Sequence, residues 1–400
     1  MLTSIALIML CGLLMGGLAK KLRLPPVIGM LVTGVILGPS ALNLLDGSIL
    51  GISADLRKIA LIIILLKAGL GLDIGVLKKV GRPALLLCFL PASFEILGWV
   101  LLAPRLLGIT VLEAGIIGAV MGAVSPAVVV PRMTRLMEEG WGTDKGIPQM
   151  IIAGASADDV FVIVVFTALT GLAQGGSVSV MSFGQIPVSI VTGILLGLGT
   201  GWVFCRFFRR VHMRDTVKLV ILLSTAFLFI SLENTLEGVL PVSGLLAVMS
   251  MGVCIYNGYD VLAKRLSGKF AKLWVPAELM LFVLVGASVD VRAAVGAGWS
   301  ILLLLAAGLV FRLVGCWLSL LGTDLNRKER LFTVLSALPK ATVQAAIGGV
   351  PLSLGLSCGS LVLTVAVVSI LVTAPLGAIA IDLAYPRCLT HTIESEEGAL

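Results

Sequence analysis

The sequence predicts an all-α integral membrane protein of about thirteen transmembrane helices, built as two inverted repeats with crossing broken helices. Three observations predict it. The composition is too apolar for a surface facing water. The apolar runs are separated by short loops whose basic charge alternates between two sides. An internal repeat has an offset that spans an odd number of runs.

Of 400 residues, 58% are hydrophobic and 13% are charged, and the mean hydropathy is +1.11. A soluble domain of this size needs more charge than that to cover it. Runs of about seventeen or more apolar residues recur from end to end, each able to cross a hydrocarbon core. The 46 glycines suit closely packed membrane helices. The net charge of +7 sits in short loops and not on a face or tail, which argues against nucleic acid as a partner and leaves membrane lipid as the surroundings. The seven cysteines form no C-x-x-C pair and lie mostly within apolar runs, so they read as packing and not as a disulfide framework or zinc site.

The spans are read in order as follows. Residues 2–19 lack a basic segment before them and are followed by Lys20, Lys21 and Arg23, which marks a retained span and not a cleaved signal. Spans 26–44 and 56–72 flank Arg57 and Lys58, and the third span leads to Lys78, Lys79 and Arg82. Spans 82–107 and 110–133 flank Arg105, and the loop after the fifth holds Arg132, Arg135 and Lys145. Spans 147–173 and 183–205 precede Arg206, Arg209, Arg210, Arg214 and Lys218. Spans 216–232 and 240–256 precede Lys264, Arg265, Lys269 and Lys272. Spans 273–289 and 297–321 flank Arg292 and precede Arg327, Lys328 and Arg330, and spans 329–350 and 356–382 complete the set. With no water at mid-bilayer, each should be helical. The odd-numbered loops and adjoining span ends carry 21 lysines and arginines, the even-numbered ones 4. Cytoplasmic loops concentrate these residues, so the N-terminus is expected outside and the C-terminus in the cytoplasm.

The repeat is visible in three places. Residues 69–73 (G-L-G-L-D) recur as 286–290 (G-A-S-V-D), 217 positions on; 29–31 recur as 244–246, 215 on; Pro126 and Pro339 stand 213 apart. The offset covers seven spans, so the second copy is upside down relative to the first. Inverted repeats are a mark of secondary transporters, in which each copy offers the same gate to opposite sides.

Few charges remain at membrane depth. Glu95, Asp158, Asp159, Arg312 and Lys340 each lie roughly 11–16 residues into their spans, near the midplane. A charge there costs on the order of 3 kcal/mol, so each is a functional candidate. Asp158 and Asp159 point about 100° apart on one helix, so one carboxylate should face the cavity and the other a neighbouring helix or cation. A carboxylate among hydroxyls and carbonyls suits a hard cation and also binds protons, which is the minimum that antiport needs. Pro126 and Pro339 should break their helices and place partial charges of half-helix ends in the membrane. Lys340 would neutralise carbonyl ends, with Ser125, Thr342 and Gln344 lining the cavity. Glu95 and Arg312 stand 217 apart in equivalent spans and invite an ion pair, either structural or a gate. Lys67 snorkels toward the cytoplasm, and Glu113, Glu278 and Asp382 read as interfacial. The simpler reading of the aspartate pair is helix glue, which two adjacent midplane carboxylates make costly.

These residues resemble the monovalent cation/proton antiporter superfamily, over about residues 25–382. The most specific parts are A-S-A-D-D-V (155–160) and P-K-A-T-V-Q-A-A-I-G (339–348), supported by P-P-V-I-G-M-L-V-T-G-V-I-L-G-P (25–39) and K-A-G-L-G-L-D (67–73). The lysine-containing segment is most similar to the NHA-type branch, whose animal members are sodium/proton exchangers. The resemblance implies a transporter and not an enzyme, with no cofactor, that exchanges sodium (or lithium) for protons in the cell (inner) membrane. It implies a homodimer. Scaffold helices would lie in 1–81 and 174–296, a mobile core in 82–173 and 297–382, and a cytoplasmic tail in 383–400. It makes Asp159 the principal ion and proton carboxylate, with Asp158 assisting. Many bacterial relatives with paired aspartates carry a lysine where this chain has Arg312. Arginine does not deprotonate in the working range, which undercuts a two-proton cycle that relies on that lysine. Potassium/proton exchange and sodium-coupled symport are the rival readings within transport. A channel lacks its T-V-G-Y-G filter here, and an intramembrane aspartyl protease needs facing aspartates, not neighbours on one helix.

Overall fold

The computed structural model describes residues 1–22, 24–72, 81–174, 180–236, 242–289 and 298–391. Arg23, Asp73, Lys78, Lys79, Asp290 and Arg292, and the tail from residue 392, lie outside the described residues.

The described apolar runs form helices, the one spanning geometry besides a closed barrel that satisfies every backbone group without water. In chain order they are Leu2–Lys21 (α1), Pro26–Leu37 (α2), Gly47–Gly51 (α3), Ser53–Gly69 (α4), Arg82–Leu87 (α5), Leu90–Leu107 (α6), Val111–Met121 (α7), Pro126–Glu138 (α8) and Ile147–Gln174 (α9). Then follow Val180–Arg210 (α10), Asp215–Thr235 (α11), Gly244–Gly258 (α12), Asp260–Ala287 (α13), Gly298–Ser319 (α14), Arg327–Leu335 (α15), Thr342–Ile347 (α16), Val350–Ser353 (α17) and Gly359–Cys388 (α18). Among the described residues nine stretches are long and apolar enough to cross a membrane. The other expected spans coincide with α2, α4, α12 and the broken run α15–α17.

Two boundaries differ most from the sequence reading. The second span was expected to reach residue 44, but α2 stops at Leu37. Gly38 is extended (φ −74°, ψ 178°) and precedes Pro39, whose ring disfavours a helical residue before it. The tenth span was expected from residue 273, but α13 begins at Asp260. Its charged first half carries an i,i+4 pair, Lys264–Asp260, at 3.4 Å. The stretch is amphipathic: Leu262, Leu266 and Phe270 on its other face are fully buried.

The chain divides into two compact units. The first covers Met1–Gly51, Gly75–Val162 and Phe282–Leu400. Within it α6 packs along α14 and α7, and α18 runs past α2, α7, α8, α15, α16 and α17. An apolar cluster around Met133, Leu136, Ile147 and Phe332 fills the end nearest the odd-numbered loops. The second unit covers Ile52–Ile74 and Ile163–Leu281, with α10 along α12 and α4 against α12 and α11.

Each unit holds one copy of the same glycine crossing. In the first, a Cβ on Gly34 would meet the Val283 carbonyl oxygen at 2.0 Å, and one on Gly286 the Leu31 oxygen at 2.2 Å. In the second, Gly69 would meet the Met249 oxygen at 2.4 Å, and Gly252 the Gly69 carbonyl carbon at 2.9 Å. Gly34 pairs with Gly252 at an offset of 218, and Gly69 with Gly286 at 217. The repeat read from the sequence is therefore also a repeat of helix crossings, each made by one helix from either half.

Both mid-span prolines sit at helix breaks. The first run is interrupted between α7 and α8, with Pro126 as the first residue of α8, where its missing N–H costs nothing. The second is interrupted between α15 and α16, with Pro339 inside the gap. The breaks meet: Ser125 N–H donates to the Pro339 carbonyl at 2.8 Å.

Candidate functional site

The break between α7 and α8 frees the carbonyls that end α7, and fixed cations from other helices reach them. Lys340, in the second break, donates from Nζ to the Met121 carbonyl and to Glu95 Oε2, the latter at 2.8 Å. Arg312, on α14, donates from Nη1 to the Gly122 carbonyl and to Glu95 Oε2, the latter at 3.1 Å. Its Nη2 donates to Asp158 Oδ2 at 2.8 Å, and its Nε to the Ala337 carbonyl at 2.9 Å. One guanidinium thus ties both breaks to two carboxylates, which its planar fork of donors permits.

Asp158 Oδ2 also accepts the Val124 N–H at 2.9 Å, inside the first break. Gln344 donates to the carbonyls of Val120 and Ala123, at 3.1 and 2.9 Å. Thr373, on α18, accepts the Lys340 N–H at 3.1 Å. Glu95, Lys340, Gln344 and Ser125 are fully buried, and Arg312, Asp158, Asp159 and Thr342 nearly so. The pairing suggested by the 217 offset between Glu95 and Arg312 is present, and Glu95 is shared with Lys340.

Asp159 differs from the other two carboxylates in its pairing. Among the described residues no cation lies within ion-pairing distance of it, although each of the three has one buried oxygen without a hydrogen-bond partner. The cluster therefore holds three carboxylates (Glu95, Asp158, Asp159) against two cations (Arg312, Lys340). With all ionised, it carries one net negative charge.

A pocket of about 30 Å³ reaches the cluster. Asp158 and Arg312 form part of its wall, with Leu87, Ile151, Cys316, Thr333 and Ser336. The last five come from the halves of their spans nearest the odd-numbered loops, so the pocket lies on that side of Asp158. The sequence reading has one aspartate facing the cavity and the other a neighbouring helix or a cation; Asp158 both lines this pocket and pairs with Arg312. Ser125, Thr342 and Gln344, expected to line the cavity, are not in the wall of this pocket, whose hydroxyls are those of Thr333 and Ser336. The three sit at the helix breaks, where Gln344 bonds carbonyls that lost their helical partners. The sequence reading missed Thr373, Thr333 and Ser336, because a hydroxyl is cheap in a membrane helix and leaves no signal of cost.

A ring of half-helix ends and shared carboxylates inside inverted repeats defines a class: secondary transporters that bind a small ion at the midplane. The sodium/hydrogen exchanger transmembrane family matches residues 5–383, and the chain belongs to it. Its members are multi-pass membrane transporters and not enzymes, in agreement with the motif resemblance. The chain is 34% identical to human sodium/hydrogen exchanger 9B2, over 98% of this chain and 77% of that protein. It is 32% identical to human sodium/hydrogen exchanger 9B1, over 92% and 73%. The fold matches the sodium proton antiporter MjNhaP1 from Methanocaldococcus jannaschii with a TM-score of 0.84, at 21% identity and covering 97% of this chain and 98% of that one.

Proposed function

We propose that this protein exchanges one sodium ion, or one lithium ion, for one proton by alternating access, with Asp159 as the carboxylate that holds either. One observation carries this reading: of the three carboxylates in the cluster, Asp159 alone has no cation within ion-pairing distance among the described residues. Glu95 and Asp158 are held by Arg312 and Lys340, so neither needs a proton or a metal ion to be neutralised. Asp159 supplies the one uncompensated charge, and a single sodium ion or a single proton cancels it. Small hard cations suit such an oxygen site. Family membership supports sodium over the potassium and symport readings.

On this reading Asp158 assists through its neighbouring carboxylate, and Lys340, Arg312, Glu95, Ser125, Thr342 and Gln344 hold the breaks around the ion. The core (82–173 and 297–382) moves against the scaffold (1–81 and 174–296) of a homodimer in the cell (inner) membrane, with the N-terminus outside. The test is proton flux in proteoliposomes enclosing a pH dye, on addition of sodium, lithium or potassium. A pH change with sodium and lithium that disappears in Asp159→Asn supports the reading. No change with any cation, in protein shown to be folded, ends it and favours symport.

A further inference from the structure

The two breaks are held in the same way, by side chains that differ. In the first repeat Asp158 Oδ2 on α9 accepts the Val124 N–H of the break. In the second, Thr373 Oγ1 on α18 accepts the Lys340 N–H of the break. Val124 and Lys340 are 216 apart, Asp158 and Thr373 are 215 apart, and both separations match the offset of the repeat. Thr373 is thus the counterpart of Asp158: a neutral acceptor where the first repeat has a carboxylate. It is 1% exposed, and its hydroxyl hydrogen goes to the Ser369 carbonyl at 2.8 Å, so the oxygen is fixed as an acceptor toward Lys340.

One turn further along the same face of α18 is Gly377. A Cβ there would meet Pro339 Cγ at 2.4 Å, so α18 lies directly against the break. Thr373 therefore fixes the backbone of the residue whose ammonium bonds Glu95 and the end of α7.

We infer that Thr373 is a positioning residue for ion exchange: its hydroxyl sets the backbone of Lys340, and through Lys340 the sharing of Glu95 between the two buried cations. The inference rests on the site proposed above. Without the hydroxyl, the Lys340 N–H is left buried with no acceptor, and the break relaxes to find one. As Lys340 withdraws, Glu95 draws Arg312 away from Asp158, and the carboxylate beside Asp159 loses its clamp. Sodium binding changes, although no group that touches the ion has been replaced.

The experiment measures sodium-driven proton flux in proteoliposomes against sodium concentration and pH, for wild type, Asp159→Asn, Thr373→Val and Thr373→Ser. Thr373→Val keeps the shape and removes the hydroxyl. It should raise the sodium KM roughly tenfold, the scale set by one unsatisfied buried donor. It should also displace the pH profile and leave kcat less affected. Thr373→Ser should restore both KM and pH profile. Thr373→Val with wild-type KM and pH profile overturns the inference, as do equal defects in the Val and Ser variants, which would assign the effect to the lost methyl. If Thr373→Val does not fold, Thr373→Ala against Thr373→Ser makes the same comparison: matching kinetics for those two overturns the inference, and impairment of Ala alone supports it. Absence of flux in wild type would instead defeat the exchange reading, and so is distinguishable from failure of this inference.

Discussion

Replacing Glu95 with glutamine removes one charge from the centre of the cluster and leaves its shape. Glu95 Oε2 accepts Lys340 Nζ at 2.8 Å and Arg312 Nη1 at 3.1 Å. Glutamine can still accept from both cations, but neither bond then joins opposite charges, so both weaken. Arg312 keeps Asp158, but Lys340 is fully buried and loses the only carboxylate bonded to it among the described residues. Breaking a buried ion pair costs about 3–5 kcal/mol. Glu95→Gln should therefore destabilise the protein by about 3 kcal/mol, roughly two orders of magnitude in the folding equilibrium. Adding Lys340→Met removes the stranded cation, so the double variant should recover at least about 1 kcal/mol of that loss. Denaturant unfolding in detergent, for wild type, both single variants and the double, measures the cycle. A Glu95→Gln variant as stable as wild type but altered in transport rate would make the pair a gate and not a structural tie. Strict additivity of the two substitutions would refute the shared-carboxylate argument.

Other expectations follow from the same geometry. Arg312→Lys offers one nitrogen in place of three and cannot bond Glu95, Asp158 and both break carbonyls together; its unfolding midpoint should fall, and an unchanged midpoint would count against Arg312 as the tie between breaks. Gly34→Val and Gly252→Val, one at each crossing, should both lower the melting temperature, since even a Cβ there meets backbone atoms within 3 Å; tolerance at both would remove the close crossings from the account. Lys145 donates to buried Glu329 at 2.9 Å, and that bond raises the lysine pKa above its ordinary value. Stability gained from a raised pKa is complete below the unfolded value, about 10.4, and is lost above the folded one, so Lys145→Met should destabilise equally at pH 6 and pH 9; a loss confined to one of them would be contrary evidence. In a background without the native cysteines, Ser336→Cys should react with a membrane-impermeant thiol reagent added from the side of the odd-numbered loops, and reaction only from the other side would contradict a pocket open toward those loops.

How much was legible in the sequence varies with what each residue costs in a membrane. The spans were legible because an apolar run is the requirement for crossing, and the breaks because Pro126 and Pro339 cannot donate. Glu95, Arg312, Asp158, Asp159 and Lys340 stood out as costly charges, and the 217 offset paired two of them. The number of acceptors gathered by Arg312 was not legible. Gly122 and Ala337 carry no polar side chain, and their carbonyls matter only because the fold ends two helices beside one guanidinium. Thr373 was missed because a hydroxyl is common in membrane helices, although extending the repeat from Asp158 by 215 positions leads to it. The start of α13 was read as loop because its lysines suggested one, yet an amphipathic helix at the surface tolerates them.

The measurement that tests the central claim most directly is the coupling ratio. Proteoliposomes are loaded with opposing sodium and pH gradients, and the pair of gradients that gives no net flux is found with membrane voltage clamped at several values. With Asp159 as the one uncompensated carboxylate, flux should vanish when the sodium and proton gradients are equal, at every voltage. A balance point that moves with voltage and demands two protons per sodium ion would mean that a second group, Asp158 foremost, gives up its cation and titrates, and the account of the site would be wrong.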